Sequence, residues 1–150
     1  MCAEVNKTAA RQLREGFIST GDMALADELL APNFQYYGPA SLSPEPIDRE
    51  GFKQLIHAYR QAFPDLRETV EEQFVADERV VQRTTSQGTF SNEMMGMRPT
   101  GKSYTVSGIE IVRIADGRIV EARVMFDSLG FMQQIGVIPA PGQASQEATT

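Results

Sequence analysis

The sequence is poor in the residues that most often bind metals and cross-link chains. Its 150 residues include one cysteine, Cys2, one histidine, His57, and no tryptophan. One cysteine cannot form a disulfide within the chain, and there is no second histidine to complete a zinc site. No serine or cysteine nucleophile is evidently paired with a histidine base. We therefore expect no bound metal, a structural or surface role for His57, and a cytoplasmic protein.

The chain also lacks an excess of positive charge and a long apolar segment. It has 14 Lys and Arg against 20 Asp and Glu, which gives a net charge of −6. Nucleic acids and anionic membranes attract basic patches, so neither is an expected partner. No run of about 18 apolar residues could span a bilayer, and the N-terminal residues lack the core of a signal peptide. Gly96 and Gly101 are isolated turn glycines rather than a phosphate cradle, and we expect no cofactor.

Apolar residues make up 41% of the chain, with helical periodicity first and strand periodicity later. This order indicates an α+β fold, in which three N-terminal helices pack on one face of a curved, four-stranded, mainly antiparallel sheet. We predict a domain over residues 1–139 and a flexible tail over 140–150. The predicted helices are 7–19, 22–30, 51–63 and 129–135; the predicted strands are 34–37, 67–75, 80–90, 103–114 and 118–127.

Local signals set several of these boundaries. Pro32 should end the second helix, because proline cannot continue the helical hydrogen bonding. Asp48 is the predicted N-cap of the third helix, and Ser128 that of the last.

Asp127 is the first choice for a catalytic residue. It follows the last strand and precedes the short final helix, and Phe126 and Leu129 flank it. A carboxyl group in an apolar pocket has a raised pKa, which suits proton transfer near neutral pH. The alternative is that its oxygens cap the following helix.

Three further charged residues could act beside Asp127. Arg83 and Arg123 could orient the carboxylate or bind an enolate oxygen, and a solvent-exposed strand face is the alternative for both. Glu110 lies on an otherwise apolar strand face, where a charge is unfavourable unless it is paired or functional. It is therefore either a second catalytic carboxylate or the ion-pair partner of Arg83 or Arg123.

Five residues are predicted to bind a substrate: Tyr36, Tyr37, Phe63, Met97 and Phe126. One of the two adjacent tyrosines must face inward if they lie in a strand, and its phenol could bond a ligand carbonyl. The methionine-rich loop and the aromatic rings suit a flat, greasy ligand. Ordinary core packing is the alternative.

Six segments between residues 5 and 139 carry a family pattern. They read A-P-N-F at 31–34, A-F-P-D at 62–65, D-E-R-V-V-Q-R at 77–83, G-T-F-S-N-E-M-M-G-M-R-P-T-G-K at 88–102, I-V-R-I-A-D-G-R-I-V-E at 111–121 and F-D-S-L-G-F-M-Q-Q-I-G-V-I-P at 126–139. Together they resemble the SnoaL-like polyketide cyclases, within the nuclear-transport-factor-like, or cystatin-like, α+β superfamily.

The resemblance implies a conical sheet around a pocket, closed by helices, usually in a homodimer. It also implies a hydrophobic multi-ring substrate and a cofactor-free intramolecular aldol condensation, in which a carboxylate moves the proton. Close relatives in anthracycline pathways are associated with hydroxylation of the polyketide instead. The superfamily also contains non-catalytic proteins, so a binding or dimerisation module is the alternative function.

The sequence departs from the common family pattern at the acid–base positions. Phe90 and Tyr37 stand where many members have histidine, and Arg123-Val124 stands in place of Trp-Asp. Arg83-Thr84-Thr85 replaces the Arg-x-Asp of epoxide hydrolases, so epoxide hydrolysis is not expected. Cyclisation and hydroxylation both stay open, and the missing histidines favour hydroxylation.

Overall fold

The computed structural model describes residues 3–140 and 142 and confirms the predicted α+β class. Four α-helices and a π-helical segment accompany one curved mixed sheet. The helices are α1 Ala3–Arg11, the π-helical segment Gln12–Ile18, α2 Met23–Leu29, α3 Arg49–Ala62 and α4 Ser128–Gln134. The strands are β1 Leu30–Tyr37, β2 Ile47–Asp48, β3 Arg67–Ala76, β4 Arg79–Thr89, β5 Ser103–Ala115 and β6 Arg118–Phe126.

Most of the predicted tail, 140–150, lies outside the described residues, and so does Cys2. None of the helices in the described part is long and apolar enough to cross a membrane.

The sheet has six strands in the order β2-β1-β6-β5-β4-β3, two more than the predicted four, because the strand predicted at 34–37 joins it as β1 and β2 was not predicted. β3 to β6 form the predicted antiparallel meander, while β1 runs parallel to β6 and β2 pairs with β1. Pro32 lies inside β1 rather than in a break after the second helix. The ladder with β6 is irregular between Leu30 and Gln35, and this interruption accommodates a residue without an N–H group.

Strict alternation gives the sheet two different faces. In β5 every second residue from Tyr104 to Ile114 is buried, and the residues between them are mostly exposed. The buried face packs against the helical layer, where Phe52 of α3 contacts the rings of Phe17 and Phe34. We call the buried face of the sheet the inner face and the exposed face the outer face.

The first predicted helix changes its geometry halfway. α1 ends at Arg11, and the chain continues with wider turns, in which the N–H of Ser19 donates to the carbonyl of Arg14 five residues earlier at 3.0 Å. Four residues of this π-helical segment are buried: Leu13, Arg14, Phe17 and Ile18. π-Helical turns are rare and recur at functional sites, because the wider turn redirects side chains.

Carboxylate caps begin three of the helices, α2, α3 and α4. Asp48 caps α3 as predicted, and its Oδ1 accepts the N–H of Gly51 at 2.8 Å. For α4 the cap is Asp127 and not Ser128, since Asp127 Oδ1 accepts the N–H of Gly130 at 2.8 Å. The helix-capping alternative for Asp127 is therefore the one the structure shows.

Replacing Asp127 tests this capping role. Asp127→Ala should lower the free energy of unfolding by about 1 kcal/mol, because a helix N–H loses its partner. Asp127→Asn should stay near the wild type, since asparagine caps helices comparably well. Chemical denaturation checks both values, and equal losses in the two variants would contradict the capping role.

Candidate active site

A cavity of about 320 Å³ lies between the inner face of the sheet and the helical layer. Its walls are mainly apolar and aromatic, as is usual for small-molecule sites. The apolar lining includes Ile18, Pro39, Leu42, Ile47, Phe52, Leu55, Ile56, Leu66, Val106, Val124, Phe126 and Phe131. The polar lining includes Arg14, Tyr36, Tyr59, Glu68, Thr84, Ser86 and Tyr104.

An ion cluster of one arginine and two glutamates borders this cavity. Arg14 of the π-helical segment donates from Nε to Glu110 Oε2 of β5. Its Nη1 lies 3.5 Å from Glu68 Oε1 of β3. All three residues are buried, and Glu110 is only 1% exposed. One buried positive charge is thus shared between two carboxyl groups.

Glu68 is the member of the cluster best suited to move a proton. It lines the cavity, and its Oε2 is buried with no hydrogen-bond partner among the residues that the structure describes. Burial raises the pKa of Glu68 to about 7; the negative charge of Glu110 adds to the rise, while Arg14 and the Ser86 hydroxyl oppose it. A carboxyl group that titrates there can both give and take a proton under physiological conditions.

Arg14 and Glu110 form the fixed part of the cluster. Burial disfavours the charge of Arg14, but Glu110 and Glu68 more than offset this and raise the pKa of Arg14 above its ordinary value. Glu110 Oε1 also accepts from Gln82 Nε2 at 3.3 Å. Glu110 does not line the cavity, but it accepts a hydrogen bond from Arg14, which does, and its negative charge raises the pKa of Glu68.

Three tyrosines contribute phenol groups to the cavity wall. Burial raises the pKa of Tyr36 to about 12, and it also raises the pKa of Tyr59 and of Tyr104. The Tyr104 hydroxyl and Ser86 Oγ form a hydrogen bond of 2.8 Å. The phenols therefore stay neutral near pH 7 and can donate to a ligand oxygen.

Methionines form one side of the cavity, at a tight turn between β4 and β5. The backbones of Met94 and Met97 bond each other in both directions, at 2.9 and 3.2 Å. Met95 and Gly96 occupy the turn with positive φ, and Met95 is 76% exposed although it lines the cavity. Flexible thioethers can adapt to ligands of different outline.

Three of the five predicted substrate-binding residues line this cavity: Tyr36, Met97 and Phe126. Phe63 lies in the core, in ring contact with Tyr104 and Phe131, which do line it. Tyr37 is outside the lining, since adjacent strand residues face opposite ways.

The structure does not bring the predicted catalytic residues together. Arg83 and Arg123 lie on the outer face, where they pair with Glu72 at 2.8 Å and Glu121 at 3.1 Å. Arg123 also covers the ring of Tyr37, 3.9 Å from its centre. Asp127 is exposed and does not line the cavity, so its position does not support proton transfer there.

Glu110 is ion-paired, but not with the predicted partners. Arg83 and Arg123 are opposite Ile109 and Ile111 in the ladders, so their side chains leave the sheet on the other face from Glu110. Its partner is Arg14, which is distant in sequence. His57 is exposed, which fits the surface alternative of the structural or surface role expected for it.

Sequence reasoning missed Arg14 and Glu68. Glu68 shares a strand face with the buried Val70, so the argument that singled out Glu110 applied to it as well. Arg14 gave no comparable signal, because its burial depends on the π-helical turns. Among the described residues there is no group of three or more His, Cys, Asp or Glu that could hold a metal ion.

Comparison with known proteins now identifies the family. The model of the SnoaL-like polyketide cyclases matches residues 7–135, which is most of the chain. The chain belongs to the SnoaL-like polyketide cyclase family. No curated protein matches it.

Solved structures with the same fold include SnoaL-like proteins from several bacteria. IdmH of Streptomyces antibioticus, a candidate polyketide cyclase, is 29% identical with a TM-score of 0.76, over 89% of this chain and 99% of IdmH. A candidate SnoaL-like cyclase of Jannaschia sp. CCS1 is 24% identical with a TM-score of 0.79, over 91% and 94%. AclR of Streptomyces galilaeus, a candidate hydroxylase, is 22% identical with a TM-score of 0.78, over 99% and 91%.

The raised pKa of Glu68 predicts a specific dependence of stability on pH. The folded protein keeps this proton up to about pH 7, whereas the unfolded chain releases it near the ordinary glutamate value. The stability that the proton confers is therefore complete at low pH and is lost as the pH rises through 7. Glu68→Gln carries no such proton.

The measurement is the free energy of unfolding of wild type and Glu68→Gln from about pH 4 to about pH 8. As the pH rises, the wild type should lose on the order of 3 kcal/mol of unfolding free energy relative to Glu68→Gln. A difference that is flat with pH would contradict the shifted pKa.

Proposed function

We propose that this protein is an enzyme of aromatic polyketide biosynthesis that catalyses an intramolecular aldol cyclisation, with Glu68 as the proton-transfer residue. The observation that carries the proposal is a buried carboxyl group with an oxygen unpaired among the described residues, set in the wall of a mainly apolar cavity. Membership of the polyketide cyclase family supports the substrate class.

The cavity supplies the groups that this reaction needs. As a carboxylate, Glu68 removes a proton from the carbon next to a ketone, and the enolate oxygen accepts hydrogen bonds from the neutral phenols of Tyr36 or Tyr104. The enolate carbon attacks a second carbonyl carbon in the same molecule, forming one carbon–carbon bond. The new alkoxide takes a proton back from Glu68, so the product is an isomer of the substrate.

The apolar walls support a substrate with fused rings. Phe52, Phe126 and Phe131 present ring surfaces, and the methionines on the other side are adaptable. In the described part of the chain Arg14 is the one basic residue that lines the cavity, and it already pairs with two glutamates. The cavity thus suits the uncharged, ketone-bearing end of a polyketide.

Glu68→Gln should reduce kcat by about 10²–10⁴-fold on a tricyclic aromatic polyketide with an uncyclised diketone chain, because glutamine cannot exchange the proton. The matched control is Glu72→Gln, the same change in the same strand on the outer face. Product formation followed by liquid chromatography and mass spectrometry is the measurement. Undiminished turnover by Glu68→Gln would remove Glu68 from the mechanism, and loss in Asp127→Asn instead would restore the first choice made from sequence.

Product mass separates the competing reactions. Cyclisation leaves the mass unchanged, or lowers it by one water if the aldol product dehydrates, whereas hydroxylation adds one oxygen atom. A mass gain of one oxygen would replace the proposed reaction by the hydroxylation suggested for AclR. Tight binding without any product would favour the non-catalytic module.

We also propose a homodimer formed through the outer face of the sheet. A chain with a single cysteine suits a reducing compartment, and we propose the cytoplasm as its location. Apolar side chains cluster there beside Arg83 and Arg123, since Phe74 is opposite Val81, Val81 is opposite Ile111, and Ile109 is opposite Met125. Phe74, Ile109 and Met125 are each more than half exposed. Exposed patches of this kind usually mark interaction sites.

Ile109→Glu should convert the dimer into a monomer, because a charge would be buried at the centre of the patch. Val5→Glu is the control, since Val5 is an exposed apolar residue on α1, in the helical layer and not on the outer face of the sheet. Light scattering after size exclusion gives the mass. A monomeric wild type at every concentration would exclude the proposed dimer.

A further inference from the structure

We propose that Glu110 is a positioning residue for the reaction assigned above: it holds Arg14 from the side away from the cavity and so keeps Glu68 available for proton transfer. This inference rests on the proposed function. It concerns a residue that does not line the cavity and that contacts the cluster through Arg14.

The geometry divides Arg14 unequally between the two carboxyl groups. Its Nε forms a close hydrogen bond with Glu110, whereas its approach to Glu68 is looser, at 3.5 Å. Glu68 therefore keeps one oxygen without a hydrogen bond among the described residues, while Glu110 accepts through both of its oxygens. The acid that faces the cavity is the less well compensated of the two.

A chain of hydrogen bonds, partly buried, holds Glu110 in place. Gln82 donates from Nε2 to Glu110 and also, at 2.9 Å, to the carbonyl of Ala10 in α1. Gln82 Oε1 in turn accepts from Gln73 at 2.9 Å, and Gln73 donates to the carbonyl of Lys7 at 2.8 Å. Glu110 is thus tied to the backbone of α1, which limits its movement toward the cavity.

The charges around Glu68 explain why Glu110 matters. The titratable or charged groups that act on Glu68 or share its cavity wall are Arg14 from the π-helical segment, Tyr36 from β1, Tyr59 from α3, and Tyr104 and Glu110 from β5. The tyrosines are neutral near pH 7. Without the negative charge of Glu110, Arg14 would pair with Glu68 alone and lower its pKa, so that Glu68 would stay a carboxylate.

The test is the titration midpoint of Glu68 in Glu110→Gln. Samples labelled with ¹³C at the glutamate side-chain carboxyl carbon are titrated by NMR, and comparison with Glu68→Gln identifies the signal of Glu68. The midpoint should fall by about one pH unit or more toward the ordinary glutamate value. The pH–rate profile of Glu110→Gln should also reach its high-pH plateau at a correspondingly lower pH, because Glu68 loses its proton earlier. If Glu110 had a purely structural role, Glu110→Gln would lower thermal stability and leave unchanged both the titration midpoint of Glu68 and the pH at which the rate plateau begins.

A second variant covers the case in which Glu110→Gln does not fold, as judged by near-ultraviolet circular dichroism. Gln82→Met keeps both carboxyl groups and removes one donor to Glu110, so the midpoint of Glu68 should move in the same direction by less. An unchanged midpoint in a folded Glu110→Gln protein, or in Gln82→Met if the former fails to fold, overturns the inference.

The two experimental readouts separate this inference from the proposed function. A wild type that turns over no ketone substrate, with a midpoint that still falls in Glu110→Gln, refutes the proposed function and supports the coupling between Glu110 and Glu68. A wild type that cyclises its substrate, with an unmoved midpoint, supports the proposed function and refutes the positioning role.

Discussion

The contact between Arg14 and Glu110 joins the helical layer to the centre of the sheet, and the cavity depends on it. Removing both charges from water is unfavourable, so such a pair persists only where each group is well bonded. Here Arg14 reaches β5 from the π-helical segment, and Gln82 supports Glu110 from β4. The pair is therefore a fixed electrostatic centre beside Glu68, whose pKa Arg14 lowers and Glu110 raises in addition to the larger effect of burial.

Alternation in the strands made much of the fold predictable. The meander from β3 to β6, the apolar inner face of β5 and the anomalous position of Glu110 all follow from period-two patterning of nearby residues. The partner of Glu110 could not be found in this way. Arg14 precedes it by 96 residues, and its inward direction results from π-helical turns that no local propensity reveals.

Asp127 illustrates how a local pattern can be correct while its functional interpretation lacks support. A carboxylate between a final strand and a short helix was expected, and the structure has it there, bonded to Gly130. Whether such a residue faces a cavity depends on how the last strand and α4 are placed in three dimensions. Glu68, by contrast, looked like an ordinary strand glutamate, and its importance lies in neighbours supplied by β5 and by the N-terminal segment.

The parallel pairing of β1 with β6 has a consequence for how the protein is made. Leu30 pairs with Ile119, and Tyr36 with Ala122, so the first long strand is completed by the last one. During synthesis the early helices and β1 leave the ribosome well before their partner strand exists. The enclosed site can thus form only when nearly the whole chain has been translated, and a prematurely terminated product would expose its unpaired strand to aggregation.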